Sequence, residues 1–292
     1  MFDIPIQALM GQLLIGLING SFYALLSLGL AVIFGLLNII NFAHGAFYMM
    51  GAFGAYLLLN KTGLSYWWAL LLAPVVIGAL GIVVERTMLA RLYKLDHPYG
   101  LLLTFGLALM LQGLFRNEFG STGLPYAIPS QLQGGQNLGF MFLPNYRGWV
   151  IVASIVICLA TWFVIEHTRL GGYLRAATEN PQLVQAFGIN VPRMITLTFG
   201  FGVGLAALAG VMAAPIYQVS PLMGADLIIV VFAVVVIGGM GSIMGSIVTG
   251  FGLGLIEGLT KVFYPEASTT VIFIIMTLVL LTRPAGLFGS QK

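Results

Sequence analysis

Apolar residues run through this chain in long blocks separated by short polar breaks. Breaking the hydropathy at charges, prolines and turn clusters predicts helical spans over roughly 9–35, 40–60, 66–85, 98–115, 148–166 and 195–217, with a last one near 269–283. Residues 227–264 form a further, largely apolar block. As one straight helix it would be ~57 Å long at ~1.5 Å per residue, against a hydrocarbon core of ~30 Å. It is therefore expected to turn back at Gly238-Gly239-Met240-Gly241-Ser242. That gives eight or nine crossings, depending on whether both halves cross. Two polar segments interrupt the pattern: a Gly-, Pro- and Gln-rich loop at 116–147, and a shorter one at 168–194.

Composition sharpens this picture. Of 292 residues, 59% are hydrophobic and only 7% charged, with mean hydropathy +1.02. An average soluble domain is about 25% charged, so lipid is the expected solvent for most of this chain. Only helices and closed barrels satisfy the backbone in lipid. The continuous blocks differ from the ~10-residue alternating strands of a barrel. The expected fold is thus all-α, a polytopic transmembrane helix bundle in one domain, 1–292. Glycine is abundant, and Gly16/Gly20, Gly200/Gly204, Gly241/Gly245 and Gly250/Gly254/Gly258 fit small-x-x-x-small helix packing.

Basic residues orient the spans. Arg86, Arg91, Lys94, Arg169, Arg175, Arg193, Arg283 and Lys292 fall in one set of loops, and Lys61, Arg116, Arg147 and Lys261 in the other. The basic excess marks the cytoplasmic side, which predicts 84–97, 168–194 and the C-terminus inside and 116–147 outside. Nine crossings would place the N-terminus outside as well. The net charge of +3 is too small to suggest nucleic acid. Cys158 is the single cysteine, so no intrachain disulfide or thiolate metal site is expected. The opening "MFDIPIQALMGQLL" lacks the basic n-region of a cleavable signal peptide and reads as the lead-in to the first span.

The chemistry of an enzyme is not evident. No lysine follows a glycine, so G-x-x-x-x-G-K-[ST] cannot be matched and any ATP must be used by a partner. His44, His97 and His167 are scattered, and Gly241-Ser242 has no matched base for a membrane serine protease. No catalytic residue, metal site or cofactor on this chain is expected.

Between Asp3 and Lys61 there is no Asp, Glu, Lys or Arg, yet Asn38, Asn41 and His44 sit within seven residues of one another. On a continuous helix all three would share one face. They then either hydrogen-bond between helices, or border the path of a polar solute and shape a broken helix beside it. Gly35 and Gly45 bracket the cluster and favour a break. Asn19, Tyr23 and Asp226 are weaker candidates, and Glu257 is the nearest thing to a deep carboxylate.

The segment "LGGYLRAATENPQLVQAFGINVPRM", 170–194, is amphipathic. Asn180-Pro181 opens a helical turn and Gly188 stops it. An exposed amphipathic helix needs lipid headgroups or a partner groove for its apolar side. This segment resembles the coupling loop of ABC importer permeases of the branched-chain amino-acid and ribose group. So do "NGSFYALLSLGLAVIFGLLNIINFAHGAFYMMGAFGAY" at 19–56, "VVVIGGMGSIMGSIVTGFGLGLIE" at 234–257 and "LLTRPAGLFG" at 280–289. Together they resemble the H-type permease of branched-chain amino-acid importers over essentially the whole chain.

The resemblance implies a transmembrane permease subunit in the cytoplasmic (inner) membrane of a prokaryote. It would pair with a related M-type permease, bind two ATPase subunits carrying ATP and Mg, and receive leucine, isoleucine or valine from an extracytoplasmic binding protein. It implies a coupling helix at 171–191, with Arg175, Glu179, Asn180 and Gly188 matching the family pattern, and makes 116–147 a docking surface for the binding protein. Urea or another amino acid is the alternative cargo. A stand-alone channel or secondary transporter would account for the polar cluster but leave the amphipathic loop without a role.

Overall fold

A computed structural model describes residues 5–37, 40–93 and 95–289. Their helices are α1 (Ile6–Leu37), α2 (Ala43–Thr62), α3 (Tyr66–Thr87), α4 (His97–Phe119), α5 (Asn145–His167), α6 (Arg169–Glu179), α7 (Pro181–Ala186), α8 (Val191–Tyr217), α9 (Met223–Gly238), α10 (Ile243–Phe263) and α11 (Thr270–Thr282). Six of these, α1, α3, α4, α5, α8 and α10, are long and apolar enough to cross a membrane. The 16-residue α9 and 13-residue α11 are shorter apolar helices, and α2 carries His44, Asn60 and Lys61 within 20 residues.

The expected fold-back at 238–242 is present: α9 ends at Gly238 and α10 starts at Ile243. Gly239 at φ +103° and Gly241 at φ +86° make the reversal, in a backbone region that side chains rarely enter. One expectation needs correction. The 116–147 segment is not plain loop, because β1 (Gly135–Asn137) pairs antiparallel with β2 (Phe142–Pro144). A bridge between Leu124 and Val219 ties the same segment to the chain leaving α8. Beneath it, the Tyr146 hydroxyl lies 2.9 Å from that of Tyr66 and donates to the Met212 carbonyl at 2.8 Å. Trp67 and Trp149 pack edge to face against this pair of tyrosines' neighbourhood, with Tyr66 and Trp149 ring centroids 5.7 Å apart. Tyr and Trp concentrate at membrane–water interfaces in this way.

The bundle is arranged around α1. It runs antiparallel along α10 and also touches α8, α9 and α5. The outer helices turn apolar side chains outward, as helices that face lipid do: Leu71 and Val75 on α3, Leu102 and Leu109 on α4, and Val152 and Val156 on α5 are all exposed. Apolar attraction does not drive helices together in lipid, so close packing and hydrogen bonds must. Glycines provide that closeness. A methyl group at Gly254 of α10 would collide with the backbone of Gly16 and Gly20 on α1, and one at Gly210 of α8 with the Tyr48 carbonyl on α2. The Gly250/Gly254/Gly258 spacing is therefore a helix contact, whereas Gly245 closes the hairpin against Gly238.

Helix ends sort by charge. The ends carrying Arg86, Arg91, Arg169, Arg175, Arg193 and Arg283 meet at one pole, where Glu85 at the end of α3 accepts a hydrogen bond from Thr196 near the start of α8 (2.7 Å) and from Tyr93 (2.6 Å). Lys61, Arg116, Arg147 and Lys261 belong to the opposite ends. Glu85 is 2% exposed, so it is a buried clamp and not the solvated end of a span that its position beside Arg86 suggests.

Gly254→Ala should lower stability by about 1–3 kcal/mol, the usual cost of forcing atoms into a packed contact. Gly252→Ala on the same helix meets nothing within 4 Å and should be neutral or stabilising by up to ~1 kcal/mol. Thermal unfolding in detergent compares them; equal shifts would contradict the α1–α10 contact.

Candidate functional site

The polar cluster resolves into a break. α1 stops at Leu37 and α2 starts at Ala43, so Asn41 lies between helices and shares no helix face with His44. Asn38 lies outside the described residues. Asn41 is buried in this stretch, 1% exposed, as is His44 beyond it at 0%, while Ile40 and Phe42 are half-buried. A methyl group at Gly29, in the body of α1, would come within 3.0 Å of the His44 ring, and one at Gly45 would strike the Gly224 carbonyl of α9 at 2.5 Å. The non-helical backbone therefore enters the interior of the bundle.

Backbone groups released inside a membrane must find partners. Thr104 of α4, 0% exposed, provides them. Its Oγ1 accepts from the Phe42 N–H at 3.2 Å and stands 3.3 Å from the Ile40 carbonyl, with the Leu101 carbonyl of its own helix at 3.0 Å as the alternative acceptor. Phe42 itself sits between Phe105 of α4 and Phe232 of α9, at centroid distances of 5.9 and 4.8 Å. Nothing in the sequence singles out Thr104, because one threonine in an apolar helix leaves no pattern. His44 is fixed by donation from Nε2–H to the Leu26 carbonyl at 3.0 Å. Its Nδ1, both amide atoms of Asn41 and the Tyr48 hydroxyl have no partner among the described residues. Buried polar atoms of this kind are rare and each costs about 1–3 kcal/mol.

The second candidate region lies at the basic pole. α5 and α6 meet at a tight elbow, where a methyl group at Gly171 would overlap the Ile165 carbonyl. Arg175 holds this elbow: its guanidinium donates to the carbonyl of Ile165 (2.8 Å) and to the carboxylate of Glu166 (3.0 Å). It thus covers carbonyls that the end of α5 leaves unpaired. Asn180 caps α7, its Oδ1 accepting from the Leu183 N–H at 2.9 Å, and Gly188 takes φ +82° beyond the end of α7. The carboxylate of Glu179 is exposed and makes no ion pair among the described residues.

The elbow hairpin is two-faced. Ala177 and Val184 pack inward with Val191, while Leu183 and Phe187 point out, 54% and 78% exposed. Behind α6 is a cavity of about 400 Å³, bounded by Leu174, Arg175 and Thr178 on one side and by Gly35, Ser242 and Phe288 on the other. The chain after α11 closes the far wall: Leu287 N–H donates to the Ile237 carbonyl (2.8 Å) and Phe288 N–H to that of Gly238 (3.1 Å), capping α9. Among the described residues no three His, Cys, Asp or Glu side chains converge as a metal site would need.

Residues 12–281 match the family model described as branched-chain amino acid transport system / permease component. The chain is 30% identical to the high-affinity branched-chain amino acid transport system permease protein LivH of Escherichia coli (strain K12), over 96% of each chain. It is 31% identical to the corresponding protein BraD of Pseudomonas aeruginosa, again over 96% of each. It is 28% identical to the permease protein LivM of Salmonella typhimurium, over 92% of this chain and 68% of the other.

Thr104→Val keeps the shape of the side chain and removes the hydroxyl. It should cost about 1–3 kcal/mol by stranding the Phe42 N–H, whereas Thr104→Ser should stay close to wild type. Unfolding temperatures in detergent read the difference, and a valine variant as stable as the serine variant would show that the break is satisfied otherwise.

Proposed function

The chain belongs to the branched-chain amino acid transport system permease family, and from that premise we propose that it is the membrane-spanning part of an ATP-driven importer for leucine, isoleucine and valine. Similarity to both LivH and LivM supports a pathway shared between two related permeases. Two ATPase subunits bind the α6–α7 hairpin, and an extracytoplasmic binding protein docks on the folded 116–147 segment. The basic pole faces the cytoplasm, C-terminal tail included, as the segregation of arginines favours. On this reading α2, α9 and α11 cross together with the six long apolar helices, which puts the N-terminus outside.

The observation that carries this reading is the α6–α7 hairpin. Leu183 and Phe187 offer an apolar surface at the basic pole, beside the unpaired carboxylate of Glu179. A groove on a partner would cover them. The cavity behind α6 leaves that helix room to tilt, while Arg175 fixes it to the end of α5, so movement of the hairpin is passed to the bundle. ATP drives the change only through its different affinity for the two arrangements.

Asn41 and His44, with Asn38, border the route. The amide of Asn41, Nδ1 of His44 and the hydroxyl of Tyr48 have no partners among the described residues. A polar solute or water passing the break would satisfy them. Branched-chain cargo needs few polar groups, chiefly for its amine and carboxylate.

In proteoliposomes holding this chain with its partner permease, ATPases and binding protein, radiolabelled leucine should enter only with ATP. Uptake by this chain alone without ATP, or of urea in place of amino acids, would overturn the reading. Arg175→Glu and Phe187→Asp should each lower substrate-stimulated ATPase activity about tenfold. The exposed Arg175–Glu166 pair is itself worth at most ~1 kcal/mol, but the reversal also removes the donor to the Ile165 carbonyl, so Phe187→Asp decides: unchanged coupling there would remove the hairpin from the mechanism.

A further inference from the structure

At the pole opposite the α6–α7 hairpin, three helices bring polar side chains together inside the bundle. Glu257 of α10 is 5% exposed. One carboxylate oxygen accepts from the Tyr23 hydroxyl of α1 at 2.7 Å, and the other pairs with Lys261, one turn along α10, at 2.5 Å. Asn19 stands one turn before Tyr23 on α1 and so presents toward the same side. Its Oδ1 accepts from the Tyr217 hydroxyl at the end of α8, at 2.8 Å. Phe22 lies edge-on to the Tyr217 ring, with centroids 5.3 Å apart. Lys261 and Tyr217 are partly exposed, so the group opens to the surface.

The Tyr23–Glu257 hydrogen bond ties α1 to α10, but that tie does not require a charged pair. A buried ion pair can usually be exchanged for apolar side chains of similar size at no loss. An ionisable residue within a membrane helix points first to a functional site. The groups present are an acid, an amine, two phenols and an amide beside an aromatic wall. They match a molecule carrying an ammonium, a carboxylate and a short apolar side chain. We propose that Glu257, Lys261 and Tyr23, with Asn19 and Tyr217, form a subsite for the α-ammonium and α-carboxylate of the transported amino acid. The proposal rests on the amino-acid importer reading above.

In the subsite the ammonium takes Glu257, the carboxylate takes Lys261 and the Tyr23 hydroxyl, and the branched side chain lies against the exposed ring of Tyr217, which Phe22 backs from within. Without cargo, Glu257 and Lys261 satisfy each other. Entry of a zwitterion exchanges one ion pair for two and leaves no bare charge in lipid at any stage. A cation or an anion alone would strand one of the two residues, so the subsite selects against both.

The test uses the full assembly and a diazirine analogue of leucine. Wild-type uptake of leucine comes first: an assembly that imports no amino acid overturns the importer reading and this subsite with it. Where leucine is imported, photolabel should fall on peptides holding residues 19–23, 217 or 253–261. Leucine should compete with it, and 4-methylpentanoate, which has no ammonium, should not. The double variant Glu257→Gln, Lys261→Gln keeps a hydrogen-bonding pair of similar size and should lower both labelling and uptake about tenfold or more. Label confined to other segments, or uptake by the double variant within twofold of wild type, would overturn the subsite while leaving the importer reading intact. Should the double variant fail to assemble, the wild-type label map decides alone.

Discussion

Backbone touching backbone at glycines is the constraint on which the rest of this molecule depends. α1 can lie against α10 only because Gly16, Gly20, Gly250, Gly254 and Gly258 carry no side chain at the contact. That closeness sets the reach of every polar group described above. Tyr23 meets Glu257 across this seam. His44 reaches the Leu26 carbonyl because Gly29 leaves space for its ring. The inner turn rests on α1 at Gly35 and Gly241. A membrane interior offers no hydrophobic drive between helices, so one larger residue in the seam would separate partners that have no other means of meeting.

The interior polar groups fall into two kinds. Glu85 and Glu257 have full sets of partners and join helices far apart in sequence. Asn41, His44 Nδ1 and Tyr48 do not. The first kind holds α3 to α8 at one pole and α1 to α10 at the other. The second kind includes a group of atoms at the break between α1 and α2, with others at Tyr126, Ser154 and Thr249. Among the described residues those at the break have no protein partner, while the two clamps fix helices at both poles.

Much of this was legible in the sequence. Hydropathy places the long helices, and the length of 227–264 against a bilayer forces the fold-back that Gly239 and Gly241 execute. The bracketing of the Asn–His cluster by Gly35 and Gly45 pointed to the break, though the same residues fitted a continuous helix equally well. Other features were hidden for physical reasons. Three-residue strands such as β1 and β2 are too short to show alternation. Thr104 and Gly171 act through one backbone contact each, which no period reports. Glu257 stood out as a charge, but its partner Tyr23 lies 234 residues away. Arg175 was assigned from resemblance alone, and only the geometry shows that it also holds the α5–α6 elbow.

The tail that follows α11 completes an earlier helix. The last carbonyls of α9 receive their hydrogen bonds from Leu287 and Phe288, residues that come after both α10 and α11 in the chain. Without them the inner turn has an unfinished end on the face where the arginines gather. The last described segment thus latches beneath a hairpin that precedes it in the chain. A chain cut before Leu287 would keep every helix described here but leave the carbonyls of Ile237 and Gly238 without these donors.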